Sequence, residues 1–244
     1  MKGRVHSIDT FSTLDGPGIR TVIFMQGCAL HCKYCHNPDT WDCESKIARE
    51  YTVNEIMQLL QRSQPYFIGS GGGVTFSGGE PLLQAEFIRE VFTFCREEKI
   101  NTAIDSSLYI SSEKLRLVLP YTDLVLADIK HMENTLSRFI TGAGNSANLR
   151  NLELINREGI PVWIRYVIVP GITDQPEHLQ AMATLAGSLS SVNRIDLLPY
   201  HALGAHKWEL LGLDYELADI DPPSPEQMKS LRQLVAAASH KPVY

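Results

Sequence analysis

Short runs dense in Val, Ile, Leu and Phe alternate along the chain with longer stretches in which apolar residues recur every three or four positions. The short runs are Thr21–Gln26, Val74–Ser77, Thr102–Ser106, Leu124–Lys130, Trp163–Val169 and Ile195–Tyr200. Their near-continuous apolar character predicts strands covered on both faces, as in a parallel sheet. Thr52, Val53, Asn54 and Glu55 carry a capping-box signature ahead of Ile56, Leu59 and Leu60, which predicts a helix start. Further helices are expected over Leu83–Glu98, over Glu113–Leu119 behind Ser112, and over Ser146–Glu158 and Glu177–Leu189. Leu119-Pro120 closes the second of these, and Gly159-Ile160-Pro161 stops the helix before the fifth strand. A last helix is expected over about 225–238, with Ser224 as cap, Pro225 at its first position and Glu226 in its first turn.

Six strand–helix units in alternation predict an α/β fold wound by right-handed crossovers. Its 244 residues suit a single domain over 1–244. Six parallel strands can form an open sheet or a partial barrel, and both bind ligands at the carboxyl ends of the strands. The Gly69–Gly73 run is expected to be a turn before the second strand, because it lacks the spacing of a nucleotide-binding loop.

Hydrophobic residues make up 44 % and charged ones 20 % of the chain, which argues against disorder. Twenty-two basic against 28 acidic residues give a net charge of −6 with no Lys/Arg run, so binding to nucleic acid through bulk charge is excluded. Met1–Ser7 leads into mixed polar sequence without the apolar core of a secretory signal, and stretches such as Val22–Met25 and Val167–Pro170 are too short to span a bilayer. The expected location is the cytoplasm. In that compartment cysteines 28, 32, 35, 43 and 95 are expected to be metal ligands, catalytic groups or buried thiols rather than disulfides.

Cys28, Cys32 and Cys35 follow the first strand with C-x₃-C-x₂-C spacing, over a loop spanning residues 27–37. Three thiolates on one loop can converge on an iron–sulfur cube, in which each iron needs a ligand, and an iron left without one can bind a small molecule. Other readings stay open on spacing alone. Zinc could take the three cysteines with His31, His36 or Cys43. Cys32-Lys33-Tyr34-Cys35-His36 also matches the attachment motif of c-type haem, and buried structural thiols are a further alternative. Cys95 is expected in a core with Phe87, Val91 and Phe94, and Cys43 has no positive evidence as a ligand.

After the second strand comes Ser77-Gly78-Gly79-Glu80-Pro81. Its two glycines allow a close backbone approach, and its amides and carbonyls can pair with both ends of an amino acid. Together with the cysteine spacing, this turn resembles the radical S-adenosylmethionine superfamily. The resemblance extends over nearly the whole chain: Asp15-Gly16-Pro17-Gly18-Ile19-Arg20, Tyr34-Cys35-His36-Asn37, Trp163-Ile164-Arg165-Tyr166, Val169-Pro170-Gly171, Leu197-Leu198-Pro199-Tyr200-His201, Leu203-Gly204 and His206-Lys207-Trp208 are similar to the glycyl-radical-enzyme activases of the formate-lyase type.

That resemblance implies a partial (β/α)6 barrel, one 4Fe-4S cluster held by Cys28, Cys32 and Cys35, and S-adenosylmethionine on the open iron. It implies reductive cleavage of S-adenosylmethionine to a 5′-deoxyadenosyl radical, which abstracts hydrogen from a backbone glycine of the partner, formate C-acetyltransferase. A flavodoxin or ferredoxin is the implied electron donor. By the same resemblance Gly78, Gly79 and Glu80 hold the methionine ammonium, and the Tyr34, Cys35 and His36 backbone lines the adenine side. Asp128, Ile129 and Lys130 meet the methionine and ribose portions, and Arg165 and His201 complete the pocket. Asp105, Ser106 and Asp128 resemble a monovalent-cation site. Strand three departs from the family pattern, reading Asp105-Ser106-Ser107-Leu108 where relatives carry a glycine at the fourth position. An activase of the anaerobic ribonucleotide reductase type and a zinc-stabilised binding module are the alternatives.

Overall fold

A computed structural model describes residues 1–244. The chain forms two compact units, Met1–Ala29 with Thr40–Leu126, and Leu30–Asp39 with Ala127–Tyr244. In chain order the elements of the first are β1 (Lys2–Ser12), β2 (Arg20–Met25), β3 (Arg49–Thr52), α1 (Val53–Ser70), β4 (Gly73–Gly78), α2 (Ala85–Glu97), β5 (Asn101–Ser106), α3 (Ser112–Val118) and the start of β6 (Leu124–Asp128). The second holds the end of β6, then α4 (Asn134–Thr141), α5 (Ser146–Arg157), β7 (Val162–Ile168), α6 (Pro176–Ser188), β8 (Val192–Pro199), α7 (Ala205–Leu210) and α8 (Pro225–Ser239). The strands form one eight-stranded sheet in the order β3-β1-β2-β4-β5-β6-β7-β8. β2 runs parallel to β4, β4 to β5, and β7 to β8. The six strands expected from the apolar runs are all present, and with their helices they form the (β/α)6 series.

Two strands were not expected. β1 pairs antiparallel with both β2 and β3. Neither carries an apolar run: β3 lies at the edge, where charge protects exposed backbone from pairing with other chains, and β1, between β3 and β2, includes Lys2, Arg4, His6 and Asp9. On β3 Arg49 stacks over Tyr51, and Glu50 takes an ion pair from Lys2 at 3.0 Å. Helices α4 and α7 were also not expected, being only 8 and 6 residues long.

Several boundaries shift. The capping box at Thr52 and Glu55 is present, but α1 runs on to Ser70 despite Pro65, so Gly69 and Ser70 belong to the helix rather than to a turn. Gly71 then ends it in the left-handed conformation. Ser111, not Ser112, caps α3, since Ser111 has extended backbone and its hydroxyl accepts from Lys114 N. A 3-10 turn over Pro81–Gln84 precedes α2, which therefore starts at Ala85 rather than Leu83. β6 ends at Asp128, which leaves Ile129 and Lys130 just past the strand. Cys95, Phe87 and Val91 are buried as expected, whereas Phe94 turns outward.

The first unit packs Phe76 edge-on against Phe87 and Phe92, with ring centroids 6.4 and 5.5 Å apart. In the second, Ile195 N donates to Pro242 O and Tyr244 N to Ile195 O, so the C-terminal residues line the outer edge of β8. Arg194 lies between the rings of Trp163 and Tyr244, 4.2 Å from each centroid. No helix is long and apolar enough to cross a membrane.

Arg20 is the largest fully buried side chain. Its Nε donates to Thr75 Oγ1 at 2.6 Å, Nη1 to Asn101 Oδ1 at 3.0 Å and Pro17 O at 3.2 Å, and Nη2 to Val74 O at 2.6 Å. Thr75 Oγ1 in turn donates to Asp15 O at 2.7 Å. The arginine of the Asp15–Arg20 motif thus folds back and fixes its own loop. Burial lowers its pKa to about 10, with Asp123 and Asp15 acting the other way, and it stays charged at neutral pH. Arg20→Met leaves these acceptors unmet and is expected to cost about 3 kcal/mol or more in denaturant unfolding of the cluster-free chain. A loss below about 1 kcal/mol, the scale of a single ordinary hydrogen bond, contradicts this role.

Candidate active site

The division of the chain falls inside the cysteine loop, so Cys28 belongs to the first unit and Cys32 and Cys35 to the second. None of the five cysteines is joined in a disulfide.

In the first unit β2 runs directly into Gln26, Gly27 and Cys28. Gly27 N donates to Thr40 O at 2.8 Å and Cys28 N to Trp41 O at 3.2 Å, which ties down the start of the loop. The end of β4 packs on the same segment. A Cβ on Gly78, whose φ is +114°, would lie 2.3 Å from Met25 N. One on Gly79 would lie 2.2 Å from Gly27 O and 3.1 Å from Cys28 Cβ. Gly79 N donates to Met25 O at 3.0 Å and Glu80 N to Gly27 O at 2.8 Å. Both glycines are therefore needed first for this close contact between backbones, in addition to the ligand approach expected of them.

Glu80 is 1 % exposed. Its Oε1 accepts from Ser106 Oγ at 2.7 Å and Leu82 N at 3.2 Å, and its Oε2 from Ser107 Oγ at 2.6 Å and Ser107 N at 3.0 Å. Burial raises its pKa, and the bonds from Ser107 and Ser106 oppose that rise. On β5, Asp105 Oδ2 accepts from Ser77 Oγ at 2.7 Å.

Leu108, at the position where the resemblance implies a glycine, has a φ of +59°. The backbone there takes the left-handed conformation that favours glycine. Leu108 N donates to Ser106 Oγ at 2.9 Å, and the buried leucine side chain is 2 % exposed. Packing and this bond hold a conformation that costs about 1–2 kcal/mol in a non-glycine residue.

In the second unit the rest of the loop is secured through its backbone. His31 N donates to Thr141 O at 3.0 Å and Lys33 N to Ile140 O at 2.9 Å, both at the end of α4. Trp208 Nε1 on α7 donates to Cys35 O at 2.9 Å, and Lys207 Nζ to Asn37 Oδ1 at 2.7 Å. His36 Nε2 donates to His201 O at 3.0 Å, and the two rings stack with centroids 4.1 Å apart. Burial and the neighbouring His36 lower the His201 pKa. Gly204 lies against His36, where a Cβ would come 2.7 Å from His36 Cα. The contacts of Trp208 and Lys207 were not foreseen from the sequence; their only signal was the His206-Lys207-Trp208 resemblance.

Asp128 and Lys130 pair with each other at 3.0 Å. Lys130 Nζ also lies 5.7 Å from the ring centroid of Tyr34, which is buried. Burial works against the charge of Lys130, but the anionic groups around it, Asp128 foremost, hold its pKa well above the ordinary value. Burial pushes the Cys32 thiol up to about 12, and the Lys130 charge opposes that shift. Ile129 is buried, and its N donates to Arg165 O at 3.0 Å. The Arg165 side chain is half-buried.

The C-x₃-C-x₂-C donor set suits an iron–sulfur cluster, in which separate irons each take one thiolate. The segments that carry it are tied down through backbone amides and carbonyls.

The family model of the radical SAM superfamily matches residues 22–183. The chain belongs to this superfamily. A radical SAM protein of this kind carries a 4Fe-4S cluster and uses S-adenosylmethionine. Among curated proteins, the chain is 46 % identical to a Clostridium pasteurianum protein over 231 residues, covering 95 % of this chain and 96 % of that one. It is 41 % identical to a Staphylococcus aureus protein over 249 residues, covering 100 % and 99 %. Both carry the name pyruvate formate-lyase-activating enzyme, and the chain belongs to their family. Among solved structures it matches a domain of a pyruvate-formate lyase-activating enzyme from Bacteroides vulgatus with a TM-score of 0.59 and 27 % identity, over 71 % of this chain and 99 % of that one. Streptococcus suis SuiB matches with a TM-score of 0.68 over 98 % of this chain and 50 % of that one; at 16 % identity this concerns the fold alone.

The left-handed backbone at Leu108 can be tested by reversing the usual order of substitution. Leu108→Gly and Leu108→Ala both empty the leucine site, but the glycine variant is expected to be more stable than the alanine variant by about 1 kcal/mol. An alanine variant as stable as the glycine one, by denaturant unfolding, contradicts the strained geometry.

Proposed function

We propose that the chain activates pyruvate formate-lyase (formate C-acetyltransferase) in the cytoplasm under anaerobic conditions, with its two units acting as one radical SAM domain over 1–244. The observation that carries this reading is the match, over nearly its full length, to relatives bearing that activity in their names. When bound, the reduced cluster supplies the electron that splits S-adenosylmethionine into methionine and a 5′-deoxyadenosyl radical, which takes a hydrogen atom from a backbone glycine of the partner.

Cys28, Cys32 and Cys35 would hold the cluster, which would bind the amino-acid end of S-adenosylmethionine where no thiolate reaches it. Its ammonium is met by the Gly78 and Gly79 backbone and the negative charge of Glu80. Asp128 and Lys130, which pair with each other at 3.0 Å, would meet the ribose hydroxyls and the carboxylate, with Ile129 beside them. The Tyr34, Cys35 and His36 backbone lines the adenine, and its fixed course is supported by the bonds from Trp208 and His36. Arg165 and His201 close the pocket. A monovalent cation on Asp105, Ser106 and Asp128 balances the substrate carboxylate. A flavodoxin or ferredoxin supplies the electron.

Anaerobic incubation with pyruvate formate-lyase, S-adenosylmethionine and a reductant is expected to give a glycyl-radical signal by electron paramagnetic resonance. Cleavage of S-adenosylmethionine with no radical on that partner, but one on an anaerobic ribonucleotide reductase, overturns the choice of partner. Cys28→Ala, Cys32→Ala and Cys35→Ala are each expected to abolish 5′-deoxyadenosine formation, while Cys43→Ala and Cys95→Ala keep it. Loss of the cluster in Cys43→Ala, measured as iron and sulfide content, contradicts the ligand set. Replacing potassium with lithium is expected to weaken S-adenosylmethionine binding; unchanged affinity removes the cation from the scheme.

A further inference from the structure

The Glu80 carboxylate has four lone-pair positions, and all are met inside the protein. Two of the four donors come from a single residue, Ser107, through its amide at 3.0 Å and its hydroxyl at 2.6 Å. Hydrogen bonds to an ionised carboxylate are short and about twice as strong as neutral ones, and within a buried site they set its orientation. The backbone amide of Glu80 is held at the same time by Gly27 O at 2.8 Å. The residue is thus fixed at two ends, by its amide to the segment that carries Cys28 and by its carboxylate to the end of β5. Gly78 and Gly79 lie directly before it and have no side chains of their own to fix their course.

We propose that Ser107 is a positioning residue for S-adenosylmethionine, acting through the Glu80 carboxylate on the Gly78–Gly79 backbone. The inference rests on the function proposed above. Ser107 does not touch the substrate in this scheme; it sets the direction in which Glu80 presents its charge and keeps the two preceding peptide groups in register with the ammonium. Its neighbour Ser106 shares the work on the other oxygen, at 2.7 Å. The hydroxyl side chains at 106 and 107 stand in the segment where the strand departs from its family pattern. Ser106 also supports the left-handed Leu108, because its Oγ accepts from Leu108 N at 2.9 Å while donating to Glu80.

Ser107→Ala removes the hydroxyl donor and keeps the amide, and Ser107→Thr retains both. In the cluster-loaded enzyme, Ser107→Ala is expected to raise the Kd for S-adenosylmethionine, by anaerobic calorimetry, and its KM by about tenfold, or about 1.4 kcal/mol. Its kcat is expected to stay within about twofold, its iron and sulfide content to be unchanged, and Ser107→Thr to restore affinity. Unchanged Kd in Ser107→Ala overturns the proposal, as does a Ser107→Thr variant that binds as poorly as the alanine one. Should Ser107→Ala fail to fold or to hold its cluster, Ser107→Cys, whose thiol is a weak donor, carries the same test with a smaller rise in Kd. Wild-type protein that does not bind S-adenosylmethionine at all overturns the functional reading instead, which separates the two failures.

Discussion

Two strand ends meet backbone to backbone where a side chain has no room. Gly78 and Gly79 at the end of β4 lie against Met25, Gly27 and Cys28 at the end of β2, with the space for a Cβ already taken by main-chain atoms. Parallel strands bring their carboxyl ends to one side, and this contact turns that general rule into a particular site. It joins the first cysteine to the turn expected to hold an amino-acid group, and it dictates glycine at two successive positions for steric reasons. Glu80 follows at once, and burying its charge requires that every lone pair be met. Ser106 and Ser107 meet that requirement from β5.

The second unit solves a different problem, that of holding a loop with no regular structure. It does so with donors aimed at carbonyls, from Trp208 to Cys35 O and from His36 to His201 O, and with amides of the loop bonded to the end of α4. These bonds run through the backbone of the loop. Burial works against ionising Cys32, and a metal bound there would offset that cost, since a coordinating thiol is deprotonated outright. Lys130 adds a fixed positive charge nearby.

The central strands and most helices were legible because burial on both faces leaves an apolar run that no other arrangement explains. β3 was not, since an edge strand keeps charged residues such as Arg49 and Glu50, nor was β1, whose run is broken by Lys2, Arg4, His6 and Asp9. α4 and α7 were too short for periodicity to register. The cysteine spacing and the Gly78-Gly79-Glu80 turn marked the site in the sequence, but their interdependence did not appear there. The bonds from Ser107 to Glu80 and the left-handed Leu108 depend on contacts between residues distant in the chain or on a dihedral angle that leucine rarely adopts.

The most direct measurement is Mössbauer spectroscopy of the anaerobically reconstituted, iron-57-enriched protein with and without S-adenosylmethionine. Three thiolates on a four-iron cluster predict one iron site distinct from the other three, whose parameters change when S-adenosylmethionine is added. Four irons that respond alike, or a cluster indifferent to the added compound, would contradict the account.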